Sequence, residues 1–300
     1  MTRLRANLLL LLTAVIWGFA FVAQRSGMEH VGPFTFNAIR FLIGALALIP
    51  LMTSLDRRRE ARAVVPLRDR SLLIGGLLAG FVIFAAATLQ QVGIVYTTAG
   101  KAGFITSLYV VLVPVLGLAL GHRPSAAVWV GATLAAIGLY FLTIQEGLTI
   151  AWGDLLVLIG AFLWAGHVLL IGHLSPGTDP VKLAFLQFMA CAALSAVAAA
   201  LSETVTADAV RAALVPILYA GIMSVGVGYT LQVVAQGYTR PADTAIILSL
   251  EAVFAVVGGW ILLDEELSLR ALFGCGLMLA GILISQILGK PEDAAVEISH

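Results

Sequence analysis

The tripeptide Thr88-Leu89-Gln90 in the first half of the chain recurs as Thr230-Leu231-Gln232 in the second half, 142 positions later. Other residues recur at similar offsets: Thr97 and Ser107-Leu108 as Thr239 and Ser249-Leu250, Gly131 and Gly138 as Gly274 and Gly281, and Trp17 and Pro33 as Trp164 and Pro180. We interpret the chain as two copies of one unit, residues 1–146 and 147–288. A polar tail at residues 289–300 follows them, and we expect it to be disordered.

Each unit is apolar enough to lie in a lipid bilayer. Hydrophobic residues make up 60% of the chain and charged residues 11%, whereas a soluble domain carries roughly 25% charged residues. Hydropathy and turn signals predict an all-α membrane protein with ten transmembrane helices. The predicted spans lie near residues 7–26, 33–53, 71–91, 98–120, 125–144, 153–172, 180–201, 211–233, 242–263 and 268–288.

The number of spans in each unit decides how the two copies are related. A unit that crosses the membrane five times ends on the opposite side, so its copy must insert upside down. Inverted repeats are typical of alternating-access transporters, in which the substrate site lies between the repeats near the bilayer midplane. The sequence therefore predicts two inverted five-helix repeats around a central site.

The distribution of Lys and Arg orients the chain in the membrane. With the amino terminus in the cytoplasm, the inner segments hold twelve of these residues, and the outer segments and outer helix ends hold four. Cytoplasmic loops carry the excess of positive charge in membrane proteins. We therefore expect a multi-pass protein of the bacterial inner membrane with both termini in the cytoplasm.

Several classes of function lack their sequence signals. The chain contains no GxxxxGK[ST] phosphate loop, no HExxH zinc motif and no GxSxG nucleophile elbow, so we expect no cofactor, no metal and no enzymatic activity. A formal net charge of zero gives no basic surface for nucleic acid. Cys191 and Cys275 each fall inside a span, as buried small hydrophobes rather than a disulfide. The expected partners are a small-molecule substrate and the lipid bilayer.

Glycine and proline residues inside the spans predict local helix geometry. Gly76 and Gly80 form a small-xxx-small pair, a spacing that lets helix backbones approach closely in lipid. Packing within the chain and a dimer face both fit this pattern, so we expect a monomer or a weak homodimer. Pro114 falls deep in the fourth span and predicts a kink there, although its repeat position is Val256.

Charged residues inside spans are the strongest signals of a site. An ionisable side chain at the bilayer centre costs at least about 2.5 kcal/mol, so it tends to face a cavity or a partner. Arg40 lies seven residues after Pro33, and its repeat position is the polar Gln187. Three roles remain open for Arg40: contact with an anionic substrate group or a gate, snorkelling to an interface, and pairing with Glu29.

The fourth and ninth spans carry aligned polar residues on one helix face. Lys101 aligns with Asp243, and Tyr109 aligns with Glu251; each pair within a span is eight residues apart, which is one face of a helix. Glu251 and Tyr109 fall toward the midplane, where the carboxyl group would bind a substrate amine or a proton. A structural bond to a neighbouring helix is the alternative. Lys101 and Asp243 lie nearer the helix ends, as substrate contacts or as charges anchored at the interface.

Aromatic and amide side chains recur at matching positions of the two units. Trp17 aligns with Trp164, and Gln90 aligns with Gln232. Buried amides need partners, so this pair indicates either a polar cavity or an interhelical hydrogen bond. Helix packing is the alternative for the aromatic and imidazole groups that extend the candidate site: Phe84, His167 and Tyr229.

In these motifs the chain resembles the drug/metabolite transporter superfamily, in particular its ten-helix EamA-type members. The resemblance rests on residues 96–104 running into Pro114, on residues 250–254, and on residues 262–268 before the glycine-rich last span. It implies a central cavity formed mainly by the first, third, fourth, sixth, eighth and ninth helices, with the fifth and tenth peripheral. Within the family, the chain is most similar to bacterial exporters of aromatic amino acids.

The residues and the resemblance lead to one functional expectation. We expect a secondary transporter that exports small amphipathic metabolites, with aromatic or other neutral amino acids as the first choice. Glu251 would contact the amine, and Gln90, Gln232 or Arg40 would contact the carboxylate. Efflux of cationic drugs is the main alternative. A lipid flippase or scramblase, or an intramembrane enzyme, agrees less well with the sequence.

Overall fold

The computed structural model describes residues 1–58, 64–97, 99–143, 151–262 and 268–288, which contain helices and no strands. Eight helices are long and apolar enough to cross a membrane, and two further apolar helices are shorter. An all-α membrane protein is thereby confirmed; the tail and the predicted repeat boundary lie outside the described residues. The ten long helices of the described residues are α1 (Arg3–Gly27), α2 (Pro33–Arg58), α3 (Arg70–Val95), α4 (Ala99–Ala119), α5 (Ala126–Thr143), α6 (Trp152–Leu174), α7 (Pro180–Ser202), α8 (Leu214–Gln236), α9 (Pro241–Leu262) and α10 (Leu269–Leu288), and a short helix at Ala207–Ala212 precedes α8.

The starts of several helices follow from local sequence. Pro33, Pro180 and Pro241 are the first residues of α2, α7 and α9, a position where the missing N–H of proline costs nothing. The carboxylate of Asp179 accepts hydrogen bonds from two backbone N–H groups in the first turn of α7. Such a cap satisfies donors that have no partner within the helix.

Helices α2 and α7, which are repeat equivalents, pack antiparallel and exchange matching contacts at both ends. Near the end of α2, Asp56 Oδ2 lies 2.8 Å from Lys182 Nζ at the start of α7. Beyond the end of α7, Glu203 Oε2 accepts from Thr35 N (2.8 Å) and Thr35 Oγ1 (2.6 Å) at the start of α2. An offset of 147 relates Asp56 to Glu203 and Thr35 to Lys182, so the two contacts are one contact made twice. The repeats are therefore inverted.

Helices α5 and α10 form a second antiparallel pair of repeat equivalents, and glycines bring them together. A Cβ on Gly131 would lie 2.7 Å from the carbonyl oxygen of Gly281, and a Cβ on Gly138 would lie 2.6 Å from that of Gly274. The offset of 143 converts one contact into the other. Gly76 and Gly80 of α3 lie similarly close to α7, where an added Cβ would lie 2.5 Å from the Cβ of Leu186 and of Ala190. These small residues thus serve packing within the chain.

Helices α4 and α9 are each interrupted near the middle. The first segment of α4 ends at Ser107 and the second begins at Tyr109; in α9 the first ends at Leu248 and the second begins at Glu251. Pro114 does not account for the break in α4, because the break precedes that proline by six residues and also occurs in α9, which lacks it. In α9, Ser249 Oγ donates to the carbonyl oxygen of Ile246 at 2.8 Å, a local bond that competes with helix continuation.

Candidate functional site

A closed cavity lies in the middle of the helix bundle. Residues of α1, α2, α3, α4, α6, α8 and α9 line it, and each lining residue is at most 9% exposed. The volume open to the centre of a water molecule is about 30 Å³, which is room for two or three waters. An organic solute therefore requires the cavity to widen. The predicted site residues that line the cavity are Trp17, Arg40, Gln90, Tyr109, Trp164, His167, Tyr229, Gln232 and Glu251.

The carboxyl group of Glu251 reaches the cavity because of the break in α9. Glu251 is the first residue of the second α9 segment, where the positive end of the helix dipole favours a carboxylate. Tyr109 Oη donates to Glu251 Oε1 at 2.9 Å, and Ser107 Oγ donates to the same oxygen at 3.4 Å. Within the described residues no hydrogen bond reaches Oε2. One carboxylate oxygen is thus fixed by the first repeat, and the other is available to a ligand.

Gln90 belongs to an amide network that the sequence revealed only in part. Its Oε1 accepts from Trp164 Nε1 at 2.8 Å and from Thr106 Oγ1 at 3.4 Å. Its Nε2 donates to Gln24 Oε1 at 3.0 Å. Gln24, which lines the same cavity, carried no repeat signal because its counterpart 147 positions later is Ile171. This network joins α1, α3, α4 and α6 across the cavity wall.

Aromatic rings surround Tyr229 on α8. Its ring centroid lies 4.5 Å from that of Trp17 and 5.8 Å from that of Trp164, with the latter pair stacked at 26°. Phe41 and Phe188 add rings at 6.1 and 6.0 Å. Aromatic pairs at these separations are stabilising beyond the area that they bury. The sequence did not distinguish Phe41 and Phe188 from the many phenylalanines that pack elsewhere.

Helix α8 differs from its repeat equivalent α3 beside these rings. Residues Tyr219–Tyr229 form a π-helix, whereas α3 is α-helical throughout its length. Trp17 Nε1 donates to the carbonyl oxygen of Ser224 at 3.2 Å, and Thr13 Oγ1 donates to that of Gly228 at 3.2 Å. Inserted π-helical turns often mark functional sites. In this protein the π-helical backbone of α8, which is wider than an α-helix, contacts the indole of Trp17 in α1 at the cavity wall.

Arg40 enters the cavity from α2, a helix outside the set implied by the resemblance. The residue is 2% exposed, and its guanidinium carbon lies 4.9 Å from the ring centroid of Phe41 and 5.5 Å from that of Phe36. These distances allow cation–π attraction. Pairing with Glu29 does not occur, since Arg40 forms no salt bridge with any residue that the structure describes. Snorkelling is excluded by its burial.

Two predicted site residues, Lys101 and Phe84, lie outside the cavity lining. Lys101 is near the start of α4, where Nζ lies 3.5 Å from Asp154 Oδ2 and the side chain is 44% exposed. Phe84 precedes Gln90 by six residues, which places it on a different face of α3 at 3.6 residues per turn. It packs against the hydrophobic core as a partly buried side chain.

The EamA-like transporter family model matches this chain twice, over residues 4–144 and 151–286. One match falls in each half of the chain, and together the two cover nearly all of it. The chain therefore belongs to the EamA-like transporter family, and it is a multi-pass membrane transporter.

Full-length relatives agree with this class. An uncharacterized transporter of Archaeoglobus fulgidus is 34% identical over 283 residues, covering 94% of this chain and 86% of the relative. A probable amino-acid metabolite efflux pump of Escherichia coli is 26% identical and covers 97% of this chain and 98% of that protein. A solved crystal structure with 20% identity has a TM-score of 0.79 and covers 96% of this chain and 98% of the other. The last similarity supports the fold.

Proposed function

We propose that this protein is a secondary transporter that exports small amphipathic metabolites, aromatic or other neutral amino acids first, through the central cavity. The observation that carries this proposal is the combination of groups around one closed space. Glu251, Arg40 and the aromatic residues Trp17, Trp164 and Tyr229 all line it. A zwitterion with an apolar side chain has complementary groups for each of them.

The chemistry of binding follows from these groups. Glu251 Oε2 would accept a hydrogen bond from the substrate ammonium, and such charge-assisted bonds are about twice as strong as neutral ones. Trp17, Trp164 and Tyr229 would contact the apolar side chain. The substrate carboxylate has three candidate receptors in the cavity, Gln90, Gln232 and Arg40. The name of the Escherichia coli relative, a probable amino-acid metabolite efflux pump, agrees with this substrate class.

Alternating access would use ion pairs at the two ends of the bundle. At one end Lys101 of α4 pairs with Asp154 of α6; at the other, Asp243 of α9 pairs with Arg3 of α1 at 3.1 Å. Helices α4 and α9 are repeat equivalents, as are α6 and α1, so each end has an ion pair between equivalent helices with the charges reversed. Lys101 and Asp243 are repeat counterparts, whereas the counterpart of Asp154 is Asn7 and not Arg3. We propose that each pair closes its end and that the two open in turn. In the bacterial inner membrane with both termini in the cytoplasm, the Asp243 end faces inward.

Reconstitution tests the proposed function directly. Purified protein in proteoliposomes loaded with one amino acid should exchange it for radiolabelled solute in a counterflow screen of amino acids and related metabolites. Aromatic amino acids should give the largest signal. The Glu251→Gln variant should fold and reconstitute normally but exchange these solutes at least about tenfold more slowly, since a charge-assisted hydrogen bond contributes about 1.5–3 kcal/mol. Exchange of no amino acid by the wild type would refute the substrate class.

Efflux of cationic drugs is a second candidate, and one observation favours it. A carboxylate beside several aromatic rings also suits an organic cation, which gains from both Coulomb and cation–π attraction. Cells that express the protein would then resist toxic cations and gain no protection against toxic amino-acid analogues. The reverse pattern supports amino-acid export.

A further inference from the structure

The guanidinium of Arg40 is buried and forms no salt bridge with any residue that the structure describes. Its Nε atom is shielded from solvent and has no hydrogen-bond partner. Within the part of the chain that the structure describes, the side chain forms no hydrogen bond or salt bridge, and its close neighbours are the rings of Phe36 and Phe41. Its repeat counterpart, Gln187, instead has a polar partner, because its Oε1 lies 3.0 Å from His167 Nε2.

A charge in this state needs an explanation, because its burial is costly. Desolvation of an ion in a protein interior costs several kcal/mol unless a partner compensates for it, and ionisable residues inside a membrane normally pair or face a cavity. Cation–π attraction contributes only about 0.5–2 kcal/mol. The lining position of Arg40 offers a remedy, since a bound anion in the cavity would supply the missing counter-charge.

The other candidate receptors in the cavity are less suited to an anion. Gln90 has protein partners at both ends of its amide. Gln232 donates from Nε2 to Gln236 Oε1 at 2.9 Å, and its atom without a partner is the acceptor Oε1. An acceptor repels a carboxylate. Arg40 alone among the three combines a positive charge with unused donors.

We infer that Arg40 is the anion receptor of the cavity and that the transported solutes carry a carboxylate, bound by this guanidinium. The inference rests on the proposed function, because it assigns one half of the same substrate. The planar fork of a guanidinium matches a carboxylate in two parallel hydrogen bonds. Arg40 and Glu251 line the same cavity as Tyr229, so both charged groups lie beside the aromatic rings. A bound zwitterion would place its carboxylate at Arg40 and its ammonium at Glu251.

The experiment compares matched ligands and matched variants. Phenylalanine, phenethylamine (which lacks the carboxylate) and phenylpropionate (which lacks the amine) compete for counterflow of the amino acid that the screen identifies. The test variant is Arg40→Gln. The control is Arg270→Gln, because Arg270 also lies over two rings, those of Tyr140 and Phe141, and also has a buried Nε without a partner, but does not line the cavity.

The wild type should prefer phenylalanine and phenylpropionate to ligands of the same size without a carboxylate. Arg40→Gln should weaken binding of both carboxylates about 10- to 100-fold, as expected for loss of a hydrogen bond to a charged group. It should leave phenethylamine binding within about twofold. Arg270→Gln should leave all three unchanged. Arg40→Lys, which keeps the charge and loses the fork, should fall between Arg40→Gln and the wild type.

A second readout separates a receptor from a structural arginine. The melting temperature of the ligand-free protein should be unchanged or higher in Arg40→Gln, because the substitution removes an uncompensated charge. A marked decrease would assign Arg40 to folding and overturn the inference. So would equal loss of all three ligands, or stabilisation of the wild type by chloride with none by carboxylates. Transport of amines alone would overturn the inference and leave a transporter; carboxylate-dependent stabilisation without transport would refute the proposed function and leave the receptor.

Discussion

Replacing Asp243 by asparagine should open the end of the bundle at which we propose an ion-pair gate. Asp243 is fully buried, and its Oδ2 lies 2.8 Å from Arg240 Nε and 3.1 Å from Arg3 Nη2. Asparagine leaves both guanidinium groups without this carboxylate in the closed state. Removal of one partner from a buried ion pair costs about 3–5 kcal/mol, and the 34% exposure of Arg3 puts the cost here at the low end of that range. Water relieves that cost when the end opens, so the ratio of open to closed molecules should rise by about 100-fold or more.

The same calculation predicts a much smaller effect at the other end. Lys101 is 44% exposed and lies 3.5 Å from Asp154, and an exposed pair of this kind contributes about 0.2–1 kcal/mol. Lys101→Met should therefore shift the equilibrium at its own end by less than about fivefold. The two ion pairs join equivalent helices at the two ends, but their different burial makes them unequal in strength.

Cysteine labelling measures the opening. Leu169 is 6% exposed and lines a second cavity beside Arg240, so Leu169→Cys reports on access from the Asp243 end. The reporter is placed in a chain whose Cys191 and Cys275 are replaced by alanine. A membrane-impermeant maleimide should label it about 100-fold faster in Asp243→Asn when applied from that side. Equal labelling rates, or faster labelling from the opposite side, would refute the role of the ion pair.

Two further predictions address the site and the scaffold. Tyr109→Phe removes the 2.9 Å hydrogen bond to Glu251, and it should raise the KM for amine-containing substrates several-fold in proteoliposomes while phenylpropionate binding stays constant. An equal change for both ligands would argue against positioning of the carboxylate by Tyr109. Gly281→Ala places a Cβ 2.6 Å from the carbonyl oxygen of Gly131, and overpacking of this kind costs about 1–3 kcal/mol. The melting temperature should fall, whereas Gly276→Ala, where a Cβ meets nothing within 4 Å, should leave it unchanged or raise it, because alanine is the better helix former.

The architecture could be predicted because matching residues in the two halves indicate that both have the same fold, which no single hydrophobic span indicates. The offset of 147 related Trp17 to Trp164, and the same offset relates the end contacts of Asp56 and Glu203. Those contacts themselves were not predicted, since an acidic residue at the end of a helix is ordinary until its partner is known. The break in α9 was also missed. At this break Ser249 Oγ donates to a backbone carbonyl group, and a serine in an apolar span does not by itself predict whether the helix is interrupted.

The cavity was more predictable at its polar residues than at its apolar ones. A charge or an amide in an apolar span is costly and therefore conspicuous, which is why Arg40, Gln90 and Glu251 were selected from the sequence. Phe41 and Phe188 lie against Tyr229 but resemble any lipid-facing phenylalanine. Lys101 was selected because it aligns with Asp243, and Phe84 because it is close to Gln90 in the sequence. Neither criterion specifies how deep a side chain lies in the membrane or which face of its helix it occupies. Substrate contact stays a prediction for every residue of the cavity.

The parts of the molecule that obey the repeat symmetry form its scaffold, and the parts that depart from it form the candidate site. The glycine contacts of α5 with α10 and the acidic contacts of α2 with α7 obey the repeat, as do the breaks in α4 and α9. The cavity violates it: Arg40 stands opposite Gln187, Glu251 opposite Tyr109, and a π-helix opposite an α-helix. When the two repeats of an inverted bundle exchange conformations, the contacts at one end can be converted into those at the other end. A zwitterion, in contrast, has no twofold symmetry. A symmetric site would hold it in two orientations, whereas one arginine and one glutamate at inequivalent positions select one.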